Sequence, residues 1–233
     1  MIVSINQPSY LPWLGYFDRI AKSDLHIVLD HVQFEKNSVT NRNKIRTAEG
    51  WQWLTVPVRT KGRFGDLAVN TIEVEDNRRW ADKHWKSLEQ HYRRAPHFQE
   101  HAEFFRSVYA RPWTRLFELI SETNRHIFEA LGMAPVIRFS SEFGLQSRKE
   151  ELVLDLCRVV GATHYISGPF GREYLSLPAF ASAGIGVTFH DYQHPTYHQA
   201  YPGFQPNLSV IDLLFNHGPR SLSILANTQR GID

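Results

Sequence analysis

The first thirty residues alternate between apolar runs and polar punctuation. Ile2 to Ile5 are mostly apolar and stop at Asn6-Gln7-Pro8, and Leu14, Phe17, Ile20 and Ala21 then recur with helical spacing before a second run from Leu25 to Leu29. This predicts strand, polar turn, helix and strand, the opening of a nucleotide-type α/β site. Ligands of open α/β sheets bind beyond the carboxyl ends of the strands, which makes Gln7, Tyr10 and Trp13 candidate ligand contacts. The alternative is that these three only pack the turn.

Further along, residues 32–75 read as β-rich. The runs are 32–34, 41–46, 51–58 and 69–74, with Gly50, Gly62 and Gly65 marking turns. From residue 77 to 131 the period becomes helical: Trp80, His84, Leu88 and Tyr92 share one face, Pro96 can open a second helix, and a third runs from Trp113 to Leu131, stopped by Gly132. The α/β alternation then returns, with strands at 136–139, 164–166 and 187–190 and helices at 147–160 and 173–183. Short helices follow Ser209. The expected fold is a single domain spanning 1–233, an α/β sheet carrying a β-rich segment and a helical insertion over roughly 77–131, whose opening resembles Rossmann-like, nucleotidylyltransferase-like folds.

Length fits that expectation, since 233 residues can bury one full core. The 26 Lys and Arg against 24 Asp and Glu leave a formal charge of +2, too small to predict a nucleic-acid or membrane surface. An aromatic content of 13% suits a sugar or base site as well as a core. The single cysteine, Cys157, sits in an apolar helical pattern and reads as a buried hydrophobe. One Cys, no signal-peptide pattern and no membrane-length apolar run lead to an expected cytoplasmic location and a small-molecule partner.

Several groups are candidates for chemistry. Arg42, Lys44 and Arg46 alternate, so on a strand they share a face that would suit a diphosphate, or equally a charged strand edge; Asn37, Asn41 and Asn43 add polar groups nearby. His97-Phe-Gln-Glu-His101 matches an inverted zinc-protease pattern, but twelve histidines make a chance match easy. His190, His194 and His198 recur every fourth residue, yet Pro195 and Pro202 break any helix that would stack them, and no metal is expected. His84 reads as a general base or a hydrogen-bonded core residue, and His194, in a polar loop, as the better base. Ser209 and Asp212 fit a helix cap. Walker A, G-x-G-x-x-G and G-x-S-x-G patterns are absent, which disfavours P-loop, dinucleotide and serine-hydrolase chemistry.

Taken together, Asn6-Gln-Pro-Ser-Tyr-Leu-Pro-Trp-Leu-Gly-Tyr-Phe17, Leu29-Asp-His-Val-Gln-Phe34, Asn41-Arg-Asn-Lys-Ile45, Leu54-Thr-Val-Pro57, Lys83-His84 with Tyr92, Gly161 to Gly168, Tyr197-His-Gln199 and Leu208 to Asn216 resemble the WbqC-like family of bacterial proteins. One departure is His31, where the family pattern leads to an expected Asp. The resemblance implies work on O-antigen or related polysaccharide precursors: a transferase placing an acyl or aminoacyl group on an amino sugar, nucleotide-linked, with the acyl donor free or on a carrier protein. For such a transfer the candidates are His84 or His194 as base, Gln7, Gln33 and Asn41 as orienting donors, Arg42 and Lys44 as diphosphate ligands, and Tyr10, Trp13, Tyr92, Tyr197 and Gln199 as substrate contacts. The resemblance names no cofactor. Alternatives are a non-catalytic nucleotide-sugar binder and a divergent nucleotidyltransferase, the latter disfavoured because Gly15-Tyr16 stands where such enzymes carry Gly-His.

Overall fold

A computed structural model describes residues 1–36, 38–60, 62, 67–75 and 77–226. Asn37 and Gly65 lie outside the described residues. The chain is mixed α/β, as its periodicity predicts. Its main sheet has five parallel strands, β1 (Ile2–Asn6), β2 (Leu25–Val28), β5 (Ile137–Phe139), β6 (His164–Ser167) and β7 (Gly186–Phe189). They stand in the order β5-β2-β1-β6-β7. The chain therefore steps outward from β1 to one side, then crosses back to step outward on the other, as in doubly wound sheets.

Period-two alternation explains why helices cover both faces. Val3 and Ile5 of β1 and Leu25 and Ile27 of β2 pack with Leu152, Val153, Leu156 and Cys157 of α5 (Lys149–Val159) and with Phe180 of α6 (Leu177–Ser182). Burial pushes the Cys157 thiol up to about 12, so it stays protonated and acts as a small apolar group. The opposite face is covered by α1 (Leu14–Ala21), whose Leu14, Phe17 and Ile20 join the second cluster.

That second cluster is built largely by the stretch between β2 and β5. It holds the antiparallel hairpin β3 (Arg42–Thr47) and β4 (Gly50–Thr55), then α2 (Arg79–Tyr92), α3 (Phe98–Ala110) and α4 (Leu116–Ala130). After β7, a loop leads to α7 (Val210–His217) and α8 (Ser221–Ala226).

The β-rich expectation for 32–75 is only partly met. Residues 32–34 form one bridge, Gln33 to Ala68, and 69–71 form a 3-10 turn instead of a strand. The backbone there is satisfied across the loop, with Phe34 N–H donating to the Leu67 carbonyl at 2.7 Å and Val69 N–H to Val32 at 3.0 Å, so no ladder is needed. The helix expected from residue 173 begins at Leu177, because the Ser176 hydroxyl caps it by accepting from Ala179 N–H.

The loop between β1 and α1 is held tightly. Tyr10 N–H donates to Val39, Asn43 Nδ2 to the Leu11 carbonyl at 2.6 Å and Asn124 Nδ2 to the Ser9 carbonyl at 3.2 Å. Leu11 is kept at φ +45°, a left-handed conformation that a non-glycine residue adopts only when its surroundings impose it. At the start of α1, the Trp13 indole lies across Gly15 where a Cβ would overlap it. Gly to Ala inside a helix ordinarily stabilises by up to about 1 kcal/mol. Here Gly15→Ala is expected to cost about 1–3 kcal/mol by displacing the indole, read as a lower urea midpoint and a changed near-ultraviolet circular dichroism band. A midpoint at or above wild type would contradict this packing.

Candidate functional site at the carboxyl edge of the sheet

In a doubly wound sheet the ligand position is the crevice beyond the carboxyl ends of the two strands between which the order reverses, here β1 and β6. The residues at this edge are Asn6 and Gln7 after β1, Asp30 and His31 after β2, Ser140 and Ser141 after β5, Gly168 after β6 and His190 after β7. They form two polar groups, one over β2 and β5 and one over β1 and β6.

The first group is centred on Ser140, which is fully buried. Its hydroxyl donates to Asp30 Oδ1 at 3.0 Å and accepts from the Asp30 N–H at 3.2 Å. The Ser141 N–H and hydroxyl donate to Asp30 at 2.9 and 2.6 Å, and Asn70 Nδ2 at 3.2 Å. Burial alone would raise the Asp30 carboxyl, but these hydrogen bonds outweigh it and hold the group below its usual value. His31 Nδ1 lies 2.6 Å from the Ser140 hydroxyl. A hydroxyl has a single proton, committed here to Asp30, so His31 Nδ1 is the donor in this contact.

The second group spans β1 and β6. The Arg19 guanidinium reaches from the second turn of α1 to donate from Nη2 to Asn6 Oδ1. A Cβ on Gly168 would sit 2.6 Å from Arg19 Nη1, so the glycine lets the guanidinium lie close without shifting. Gln7, half-buried, makes no side-chain hydrogen bond among the described residues.

Most of the other candidates gather elsewhere. Tyr92, Tyr197 and Gln199 meet around Asp212, donating to its carboxylate at 2.9 Å each. Burial raises Asp212 to about 6 against these bonds. Ser209 does cap α7, but the Asp212 side chain is turned into this network and away from the cap. Tyr10 is buried in the core, its hydroxyl 3.0 Å from His84 Nδ1 and 2.5 Å from the Tyr109 hydroxyl. His84 is 2% exposed, and burial lowers it to about 3. His194 keeps Nδ1 on the Pro195 carbonyl at 2.9 Å, and its Nε2 is buried without a partner among Tyr192, Tyr197 and Phe204. Trp13 meets Tyr192 edge to face at 5.4 Å.

Gln33 accepts from the Leu67 N–H, and Asn41 donates to the Val56 carbonyl, so both amides tie down loop backbone. On the β3–β4 hairpin, Arg42 lies 4.4 Å from the Trp53 ring and Lys44 4.2 Å from Trp51. Arg46, the third member of that alternation, does not share their openness. It is 1% exposed and donates to the carbonyls of Thr47, Gly50, Pro202 and Gly203. The histidine patterns also resolve into local pairs: His97 with Glu100 at 2.7 Å, His101 with His126 at 3.1 Å and His190 with Asp18 at 2.6 Å. Among the described residues no three His, Cys, Asp or Glu side chains group to hold a metal.

Of the sequence candidates, therefore, Gln7 alone stands at the switch-point edge. Arg19, Asn6, Asp30, His31, Ser140 and Gly168 were missed as site residues. The available signal was position: Asn6 ends a strand, and Asp30, Ser140 and Gly168 each follow one within two residues. Arg19 carried no signal, because a charge on a helix reads as solvent-facing.

Fold and site together define a protein with a five-stranded parallel sheet and polar side chains gathered at its carboxyl edge. The model of the WbqC-like protein family matches residues 7–224, and the chain belongs to that family. It is also 39% identical, over 221 residues, to an uncharacterised protein of Mycobacterium tuberculosis, covering 93% of this chain and 94% of that one. No solved structure matches it. Among the described residues no helix is long and apolar enough to cross a membrane.

Proposed function

We propose that the protein is a cytoplasmic transferase of surface-polysaccharide precursor synthesis, moving an acyl or aminoacyl group from a thioester to the amine of a nucleotide-linked amino sugar. The observation that supports this most is the Asp30–Ser140–His31 chain of hydrogen bonds, which orients the partly exposed His31 ring through Nδ1 at the carboxyl edge of the sheet and leaves Nε2 to serve as the base. The amine nitrogen attacks the thioester carbonyl carbon, the new C–N bond forms as the C–S bond breaks, and His31 takes the amine proton and returns it to the departing thiolate. The Gln7 amide, with no internal partner among the described residues, is placed to donate to the oxyanion. His31 takes the role of base in this reading because His84 and the Nε2 of His194 are closed off from solvent. The Asp that the family pattern leads one to expect at that position is also a proton acceptor.

The test is product formation by mass spectrometry from UDP-, dTDP- and GDP-linked amino sugars with acyl thioesters. Wild type is expected to form an amide, and His31→Gln to lose about a hundredfold or more in kcat while still binding the sugar nucleotide. Equal turnover by His31→Gln would remove His31 from the reaction. Binding of a nucleotide sugar with no turnover by wild type, across all donors, would leave a binding protein in place of a transferase.

A further inference from the structure

Among the described residues no carboxylate neutralises the charge of Arg19. Its neighbour Asp18 is turned to Lys22 and His190, at 2.6 Å each, and Arg19 makes no ion pair with a carboxylate among the described residues. The groups that feel its charge are Tyr16, Tyr165 and Tyr174, phenols whose own protons are held by burial, and His26, a buried imidazole that it pushes further down. Burial lowers the Arg19 guanidinium from its usual value, the mark of a cation removed from water without a counter-ion. Its Nε and the Asn6 Nδ2 are both buried and make no hydrogen bond.

A buried donor without an acceptor is costly, and more so when it is charged, so two such donors call for an external acceptor to offset them. They lie at the β1–β6 reversal, beside a glycine that leaves room for close approach. Directly after Gly168, the connection to α6 leaves large apolar side chains in solvent: Phe170 is 74% exposed and Tyr174 50%. Cationic and amide donors at the strand ends, followed by exposed rings on the next connection, match one ligand class.

We propose that the carboxyl edge at the β1 and β6 ends binds a nucleoside diphosphate, its phosphoryl oxygens on the Arg19 guanidinium and the Asn6 amide beside Gly168, and its base against Tyr174 and Phe170. This deepens the transferase reading and rests on it for the choice of a nucleotide. It places the diphosphate on Arg19, where the sequence alone pointed to Arg42 and Lys44, which instead lie over the Trp53 and Trp51 rings of the hairpin.

Titration calorimetry at low ionic strength, with pyrophosphate, UDP, dTDP and GDP, tests the site without requiring turnover. Wild type is expected to bind pyrophosphate and to bind one of the nucleotides more tightly. Arg19→Gln should weaken both by about tenfold to a hundredfold, the range for a charged hydrogen-bond donor. Tyr174→Ala should weaken the nucleotide alone, by about fivefold or more. Gly168→Ala, whose methyl would press on Nη1, should weaken both ligands with Arg19 intact. The ligand-free Arg19→Gln protein should melt at or above the wild-type temperature, because the substitution removes an uncompensated charge.

Absence of binding by wild type, equal binding by Arg19→Gln, or a melting temperature lowered by several degrees in Arg19→Gln would each overturn the assignment. The two readings fail separately. Nucleotide binding through Arg19 without acyl transfer would overturn only the transferase, and acyl transfer with binding indifferent to Arg19 would overturn only this site.

Discussion

Between pH 7 and pH 5 the protein is expected to lose on the order of 3 kcal/mol of stability, enough to bring a typical domain close to unfolding. The cause is a set of histidines buried in neutral form. His26 is bonded to the Ser4 hydroxyl at 2.8 Å and His84 to Tyr10 at 3.0 Å, and burial lowers each to about 3. The folded pKa lies below the unfolded value of 6.5, so their contribution is complete above pH 6.5 and is lost as pH falls from there toward 3. At pH 5 each has lost about 1.5 pH units of linkage, or roughly 2 kcal/mol, and the pair about 4. His126, lowered to about 4 but only half buried, adds a smaller amount of the same sign.

Asp212 acts in the opposite sense. Its folded pKa, about 6, lies above the unfolded 3.8, so its contribution is complete below about pH 4 and is lost as pH rises through 6. Acidification to pH 5 therefore recovers about 1 kcal/mol there, which the histidines outweigh. Urea midpoints measured across this range should fall with pH, at a slope matching uptake of one to two protons on unfolding. A midpoint that stays level between pH 6.5 and pH 5 would mean that His26 and His84 are not buried as neutral groups.

Arg46→Ala is expected to cost about 3–5 kcal/mol, the largest effect of any single substitution considered. The guanidinium donates to Thr47 and Gly50 at the β3–β4 turn, at 2.5 and 2.7 Å, and to Pro202 and Gly203 of the long loop, at 2.6 and 2.7 Å. Removing it leaves four carbonyls without these donors and a void where a fully buried side chain stood, and it detaches the loop from the hairpin. It also withdraws the cation that helps hold down the pKa of Asp212. Arg46→Lys should recover little, since one ammonium cannot reach acceptors spread over two segments. A urea midpoint in Arg46→Ala corresponding to less than 1 kcal/mol would show that the loop is held by other contacts.

Arg46 illustrates how far the sequence could be read. Strand alternation correctly put Arg42, Lys44 and Arg46 on one side of β3, which is a local property of the backbone. What covers that side is not local. The loop at 201–203 lies over Arg46, while Trp51 and Trp53 lie under Lys44 and Arg42, so one face holds a structural cation and two stacked ones. Tyr92, Tyr197 and Gln199 tell the same story: their residue types suit a sugar site, and their partner is Asp212, more than a hundred residues from Tyr92.

By itself the sequence determined the α/β class, the strand and helix content of the two ends, the helical stretch before β5, and family membership. All of these follow from hydrophobic period and local motif, which need no knowledge of distant partners. Only the tertiary structure decided which polar residues serve the core and which stand at the carboxyl edge of the sheet. Burial and hydrogen-bond completion depend on what the rest of the chain brings close, so the core absorbed His84, Tyr10 and Asp212, and the reversal of strand order between β1 and β6 brought Arg19, Asn6 and Gly168 together.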